Sequence, residues 1–462
     1  MPKAPNNQTH YTNQVQLLVG KIYGRSILND SLLERAIHYF DNNEFVESHS
    51  TTSTESDTLH KLEKIERHNH LQSICCEIIE LAEGDTLQES NRKTARLLGT
   101  IQLISPTEGS KVAVCNEQNK VLYKAILSLR LLDRLLLDNE LNDPYIVKVL
   151  TEFNGKSFVE LDEAERERFT ELVRIPLLMA ALLQNIGHHH PEARVIFSGE
   201  DGKKDRFRIL DITDRKKLLK INYKETLSYI SNAIGVLKYT GNSKELRDQF
   251  VIEEQLKHQF IKKLIKSSFK PEQGIGNLLK VPQIYVSIVL STKEAYNYKV
   301  LPQVFQVLNK NAELGSCSQK AVDALYKITG MFPQGYGIVY MPEDEMGHLG
   351  DCYEYAIVNR LYPETPENPL CRIATRHLTF IGYGHNITVK KSNNLYFPQI
   401  AKKIATLSKE RLNEILELLA SNYHERQQLD LLPRCWHANE YFSVKTNQKL
   451  WNKEDSRSFS LS

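Results

Sequence analysis

The stretch LLMAALLQNIGHHHPEA, residues 177–193, decides how the rest of the chain is read. Leu177 to Leu183 is an apolar helix. It runs into a polar pair, Gln184 and Asn185, then Ile186 and Gly187, a residue suited to ending a helix. Upstream, a helix opens after Leu161 with Asp162 and Glu163, carboxylates that suit a positive helix end, and reaches Pro176. That proline predicts a kink or a fresh start. The uninterrupted apolar run here, Ile175 to Leu183, is far short of the roughly 20 residues of a membrane span.

Helical patterning extends on both sides. In 121–137, Leu122, Ala125, Ile126, Leu129, Leu132 and Leu136 recur at spacings of three and four, and further leucines at 127, 131, 135 and 137 predict burial on more than one side. Residues 31–40 and 59–81 read as helices separated by the Ser/Thr-rich loop 46–58. Residues 86–120 have no clear pattern. Helices are predicted over 211–233, 251–266, 278–290, 301–308 and 318–329, the last with Ser318 as N-cap. The grammar then changes. Residues 335–341, 353–359 and 372–380 are rich in Tyr, Ile, Val and Thr between Gly and Pro turns, which predicts a small antiparallel β unit. Helical pattern returns at 399–420, before an irregular tail from Tyr423.

The expected fold is therefore mainly α. It divides into an N-terminal helical region (1–120), a helical domain (121–330), a β unit (331–392) and a C-terminal helix with tail (393–462). A chain of 462 residues, 41% hydrophobic and 25% charged, is ordinary for a soluble protein, and a net charge of +2 gives no global pull toward nucleic acid or acidic membranes. The first residues, MPKAPNNQTHYTNQ, lack the apolar run of a secretory signal. Seven scattered cysteines, two of them adjacent (Cys75, Cys76) and none in a CxxC pair, fit a reduced cytoplasm.

Three segments in order resemble the HD-GYP branch of the HD-domain phosphohydrolases. The first is the opening helix, which in that family ends in His-Asp where this chain has Gln184-Asn185. The second is 276–302, where Val281-Pro282-Gln283, then Tyr285, Thr292 and Tyr296, stand for the helix bearing a late metal-binding Asp; the expected Asp is Gln283. The third is 321–374, where Phe332-Pro333-Gln334-Gly335 and Glu345-Met346-Gly347 fit the turns that close the family's domain. The resemblance implies an HD-type helical domain and cyclic di-GMP phosphodiesterase chemistry, in which a pair of divalent ions (iron or manganese) activates water.

The departures are consistent. The family's His-His-Glu and Asp-Gly-x-Gly-Tyr-Pro signature is absent between Asn222 and Gly276, and no upstream ligand histidine lies between His70 and His188. Amides supply oxygen but no charge to a cation. Gln184, Asn185 and Gln283 thus read as degenerate ligand positions, with no catalytic residue, metal or cofactor expected. The resemblance leaves three readings. One is a binding protein for a cyclic dinucleotide, or a regulatory partner in a bacterial signalling or surface-organelle system. Another is a phosphodiesterase using unaligned ligands, and the third is a scaffold. Arg215, Lys216, Lys217 and Lys220, with Lys262, Lys263, Lys266 and Lys270, are candidate phosphate contacts or the solvated faces of helices. His188-His189-His190 reads as a solvated loop, His258 as an isolated surface residue, and His68 and His70 as residues on different helix faces.

Overall fold

A computed structural model describes residues 7–24, 30–46, 54–154, 156, 158–271, 274–343, 346, 350, 352–377, 379–400 and 433–452. The chain is mainly α-helical, with a small antiparallel sheet near its C-terminus. The helices are α1 (His10–Tyr23), α2 (Leu32–Val46), α3 (Thr54–Ala82), α4 (Leu87–Ile104), α5 (Val112–Leu137), α6 (Pro144–Thr151), α7 (Glu163–Phe169), α8 (Ile175–Leu183), α9 (Pro191–Ser198), α10 (Ile212–Tyr229), α11 (Lys244–Phe269), α12 (Asn277–Val289), α13 (Val304–Glu313), α14 (Gln319–Thr329) and α15 (Asn439–Ser443).

Helices α5 and α8 form the centre. All of Pro176 to Leu183 is buried, as is almost every residue of α5 from Leu122 to Leu135. Burying one such leucine is worth roughly 1.5–3 kcal/mol, so this pair anchors the fold. The helical stretch Glu163–His189 matches a membrane span by length and composition, but 78% of its most apolar window is buried by the protein itself. It is packed as a core element.

Pro176 does its work through the turn before it. Residues Thr170–Arg174 form a π-helical turn, and α8 begins with the proline in its first turn. The missing proline N–H would orphan the carbonyl of Leu172. The Tyr145 hydroxyl donates to that carbonyl at 2.7 Å. Asp162 caps α7 in a reciprocal capping box with Glu165. Ser318 precedes α14 without a side-chain cap; its N–H donates instead to Asn277 Oδ1 at 2.8 Å.

The sheet contains β1 (Gly337–Tyr340), β2 (Glu354–Val358), β3 (Leu370–Ile373), β6 (Asn386–Thr388) and β7 (Cys435–Trp436) in the order β6-β3-β2-β1-β7, all antiparallel; β4 (Thr375–Arg376) and β5 (Thr379–Phe380) pair separately. Alternate residues serve two cores. Val339, Tyr355 and Ile357 join the helical core, while Ile338, Tyr340, Ala356 and Val358 pack on the other face. The predicted third strand, 372–380, is in fact the end of β3 followed by the β4–β5 pair.

The expected boundary at 120 falls inside α5. Nor does the β unit close at 392, because β7 comes from the tail and pairs with β1. One core contains Val15, Leu129, Val339 and Trp451, so the N-terminal helices and the tail belong to the same body. Asn439 donates to the carbonyls of Leu103 and Ser105 at 2.9 and 2.7 Å, and Thr9 N–H donates to Gln448 Oε1 at 2.8 Å. Most of the predicted loop 46–58, the helix expected at 399–420 beyond residue 400, and the Glu345–Gly347 turn apart from Met346 lie outside the described residues.

Candidate functional site

Four helices bring polar side chains to one point in this apolar interior. Gln184 ends α8, Asn185 follows it, Gln283 lies one residue past Pro282 in α12, Lys124 projects from α5, and Asn222 and Thr226 sit one turn apart on α10. The structure brings Gln184, Asn185 and Gln283 together in a directed chain of hydrogen bonds. Lys124 Nζ donates to Gln184 Oε1 at 2.9 Å, Gln184 Nε2 to Gln283 Oε1 at 3.1 Å, and Gln283 Nε2 to Asn185 Oδ1 at 3.3 Å. Beneath it, Asn222 Nδ2 donates to the Gln184 carbonyl at 3.3 Å, and Gly187 N–H donates to Thr226 Oγ1 at 3.1 Å.

Gly187 has a role different from the left-handed helix stop. A Cβ there would lie 2.6 Å from the Asn222 carbonyl oxygen and 2.9 Å from its Cα. Glycine lets α10 press against the short 3-10 turn Ile186–His189 and deliver Asn222 to the cluster.

The donor set does not fit a divalent ion. Each of the three side-chain amide oxygens already accepts a hydrogen bond within the chain of four residues. Lys124, bonded to Gln184, adds a positive charge that would repel a cation placed among these amides. Among the described residues, no group of three or more His, Cys, Asp or Glu side chains is placed to hold a metal.

The electrostatics are one-sided. Lys124 is 4% exposed. Burial, with Lys120 one turn away, pushes its pKa down to about 7. Lys120 is likewise held below its ordinary value by burial, opposed by Glu117 and reinforced by Lys293 and Arg206. His188 is pushed down to about 3 by burial and then by Lys120, Lys124 and Arg206, so its ring is neutral at physiological pH. Arg206 bonds Glu117 at 2.9 Å. Lys293 donates to the carbonyls of Phe207 and Arg208 at 3.2 and 3.0 Å, tying the 205–208 turn beside the cluster.

Most of the basic residues singled out from sequence lie elsewhere. Lys216, Lys217 and Lys220 are exposed on α10, off the buried stripe Leu218, Asn222, Thr226 and Tyr229. Lys263 pairs with Asp143 at 2.5 Å, while Lys262 and Lys266 lie half-buried and exposed on α11. Arg215 alone contributes here, through its field on Lys280 and Lys293. The sequence reading missed Lys120 and Lys124. Their signal was present: two lysines four apart, the second inside a helix patterned for burial on several sides.

The three consecutive histidines are not a solvated loop. All are half-buried, and each packs on a different ring: His188 on Phe197, His189 on Tyr23 and His190 on Phe40. His258 is not an isolated surface residue either. It lines a cavity of about 30 Å³ with His68, Glu254 and Lys257, and burial followed by Lys262, Lys64 and His68 pushes it down to about 4. His68 faces that cavity, whereas His70 feels Arg35 and Asp30 on another side of α3.

No protein-family model matches the chain, and the searches of curated proteins and of solved structures also find no match.

Proposed function

We propose that this chain is a non-hydrolysing relative of the HD-GYP phosphodiesterases that acts by binding, with a cyclic dinucleotide as its ligand and a bacterial signalling or surface-organelle system as its setting. The observation that carries this reading is the chain Lys124–Gln184–Gln283–Asn185. The positions that the family resemblance assigns to two metal ligands and the late aspartate hold neutral amides bonded to one another and to an ammonium. Metal-dependent hydrolysis needs a bound water whose pKa is lowered from about 16 to near 7, and this donor set gives an ion no charge to bind to. The surrounding lysines and arginine suit phosphates.

The test uses the purified full chain and cyclic di-GMP. Calorimetry should show saturable binding, and chromatography of the nucleotide after incubation with manganese or iron(II) should show no turnover. Turnover that a chelator abolishes and metal restores would overturn the reading in favour of a phosphodiesterase. Absence of both binding and turnover would favour a scaffold.

A further inference from the structure

We propose that Lys120, Lys124 and Arg206 form an anion site that takes a phosphate group directly, the Lys124 ammonium standing where a hydrolase would hold a divalent ion. That last comparison, and the nucleotide as the source of the phosphate, rest on the function proposed above. The anion site itself rests on buried Lys124, on Lys120 one turn before it on α5, and on Arg206 held beside that turn by Glu117.

Buried cations in proteins are normally paired. Lys124 is not. Its hydrogen bond goes to a neutral amide, and among the described residues no carboxylate acts on it. The cation nearest along the helix is Lys120, on the same face of α5 one turn earlier. Arg206, bonded to Glu117 one turn before Lys120, acts on Lys120, and His188 feels all three cations. Lys293 adds a further positive charge to Lys120. Against these stand Glu117 and Asp205. Glu117 is shared between Arg206 at 2.9 Å and the Tyr23 hydroxyl, and Asp205 acts on Lys293 at the outer edge. The surplus is positive, and it deepens inward from exposed Lys293 through half-buried Arg206 and Lys120 to Lys124. An anion entering along that gradient would relieve the repulsion between the two lysines and gain charge-assisted hydrogen bonds from flexible ammonium donors.

Neutral His188 can donate one further hydrogen bond without adding charge. The group that titrates in this range is Lys124; Lys120 from the same helix and the neutral amide of Gln184 at the end of α8 face it, and His188 in the turn after α8 is already neutral. Sulfate is the suitable probe because its charge does not change across the range in which Lys124 titrates. Anion binding favours the protonated ammonium, so sulfate affinity should fall as pH rises through about 7.

The experiment is calorimetric titration of the full chain with sulfate, inorganic phosphate, pyrophosphate and cyclic di-GMP, with circular dichroism of every variant. Wild-type protein should bind the inorganic anions. Lys124→Met and Lys120→Met should each weaken binding about tenfold or more. Lys124→Arg should retain it, Lys216→Met should leave it unchanged, and the pH dependence with sulfate should vanish in Lys124→Met. Should Lys124→Met fail to fold, Lys120→Met at the half-buried position carries the same test. Failure of wild-type protein to bind any inorganic anion, or binding indifferent to both lysines, overturns the anion site. Sulfate and phosphate binding without cyclic di-GMP binding would keep the anion site and remove the nucleotide reading. Cyclic di-GMP binding unaffected by Lys124→Met and Lys120→Met would do the reverse.

Discussion

Helix α5 carries two buried charged clusters, and they are built on opposite terms. Near its C-terminal half, Arg130 pairs with Glu83 and with Asp133 at 2.9 Å, and Arg174 from the π turn reaches Asp133 at 2.9 Å and Glu83 at 3.5 Å. Two guanidiniums meet two carboxylates. Burial works against Arg174, yet Asp133 and Glu83 hold its pKa above the ordinary value. Two turns earlier, Lys124 meets amides and a second lysine, and its pKa falls. The first cluster is closed: each charge is balanced inside the fold, and it staples α4's approach, α5 and α8 together. The second is open, with a charge that the fold leaves uncompensated. The closed cluster acts as a structural device, and the open one is where the proposed ligand would bind.

Removing one partner should separate the two sharply. Asp133→Asn leaves two buried arginines with Glu83 as their shared carboxylate and should cost about 3–5 kcal/mol, read as a fall in the urea midpoint. Lys124→Met removes a buried charge that has no counter-charge. The loss to Gln184 and the relief of desolvation oppose each other, so stability at neutral pH should change by no more than about 1–2 kcal/mol. Equal losses in the two variants would erase the distinction between closed and open.

Gly187→Ala should come next in size. The new methyl group would press on the Asn222 backbone, which cannot rotate away as a side chain would. Overpacking of this kind costs typically about 1–3 kcal/mol, and it should shift Asn222 and weaken ligand binding together with stability. Tyr145→Phe leaves the Leu172 carbonyl without its donor and should cost about 1–2 kcal/mol with no effect on the ligand.

The pH dependence sharpens the same contrast. Lys124 has a folded pKa of about 7, whereas an unfolded lysine sits near 10.4. Between those values the unfolded chain holds a proton that the folded chain has lost, so stability contributed at this site rises as pH climbs from 7 toward 10. Relative to Lys124→Met, wild-type protein should therefore gain stability over that interval, by an amount on the order of a few kcal/mol. A flat difference between the two across the interval would show that Lys124 is not desolvated.

The parts of this picture that were legible in sequence are those carried by local pattern. The leucine spacing of 121–137 marks α5 as a central helix, and the apolar run ending in Gln184-Asn185 marks α8. The alternating residues near 337 and 355 mark two strands. Gln283 was placed with Gln184 and Asn185 through the order of motifs, and the three do lie in hydrogen-bond contact. What escaped is non-local. Strand β7 is recruited across a long separation to the edge of β1, and nothing near Cys435-Trp436 announces a partner at Gly337 and Ile338. The histidines looked solvated because neighbouring polar residues usually are, and the rings of Phe197, Tyr23 and Phe40 that cover them come from other elements. Lys120 and Lys124 were overlooked because a lysine in a helix is ordinarily exposed; only the packing of α8 and α12 against α5 turns Lys124 inward.

If the Lys124 ammonium takes the place of a divalent ion in this site, elemental analysis of the purified full chain will find no bound metal. Protein expressed with iron, manganese and zinc in the medium should carry none of them at a stoichiometric level, and Lys124→Met should not change that, because Gln184, Asn185 and Gln283 still bring no charge. One or two equivalents of metal per chain, lost on substituting Gln184 or Gln283, would contradict the account.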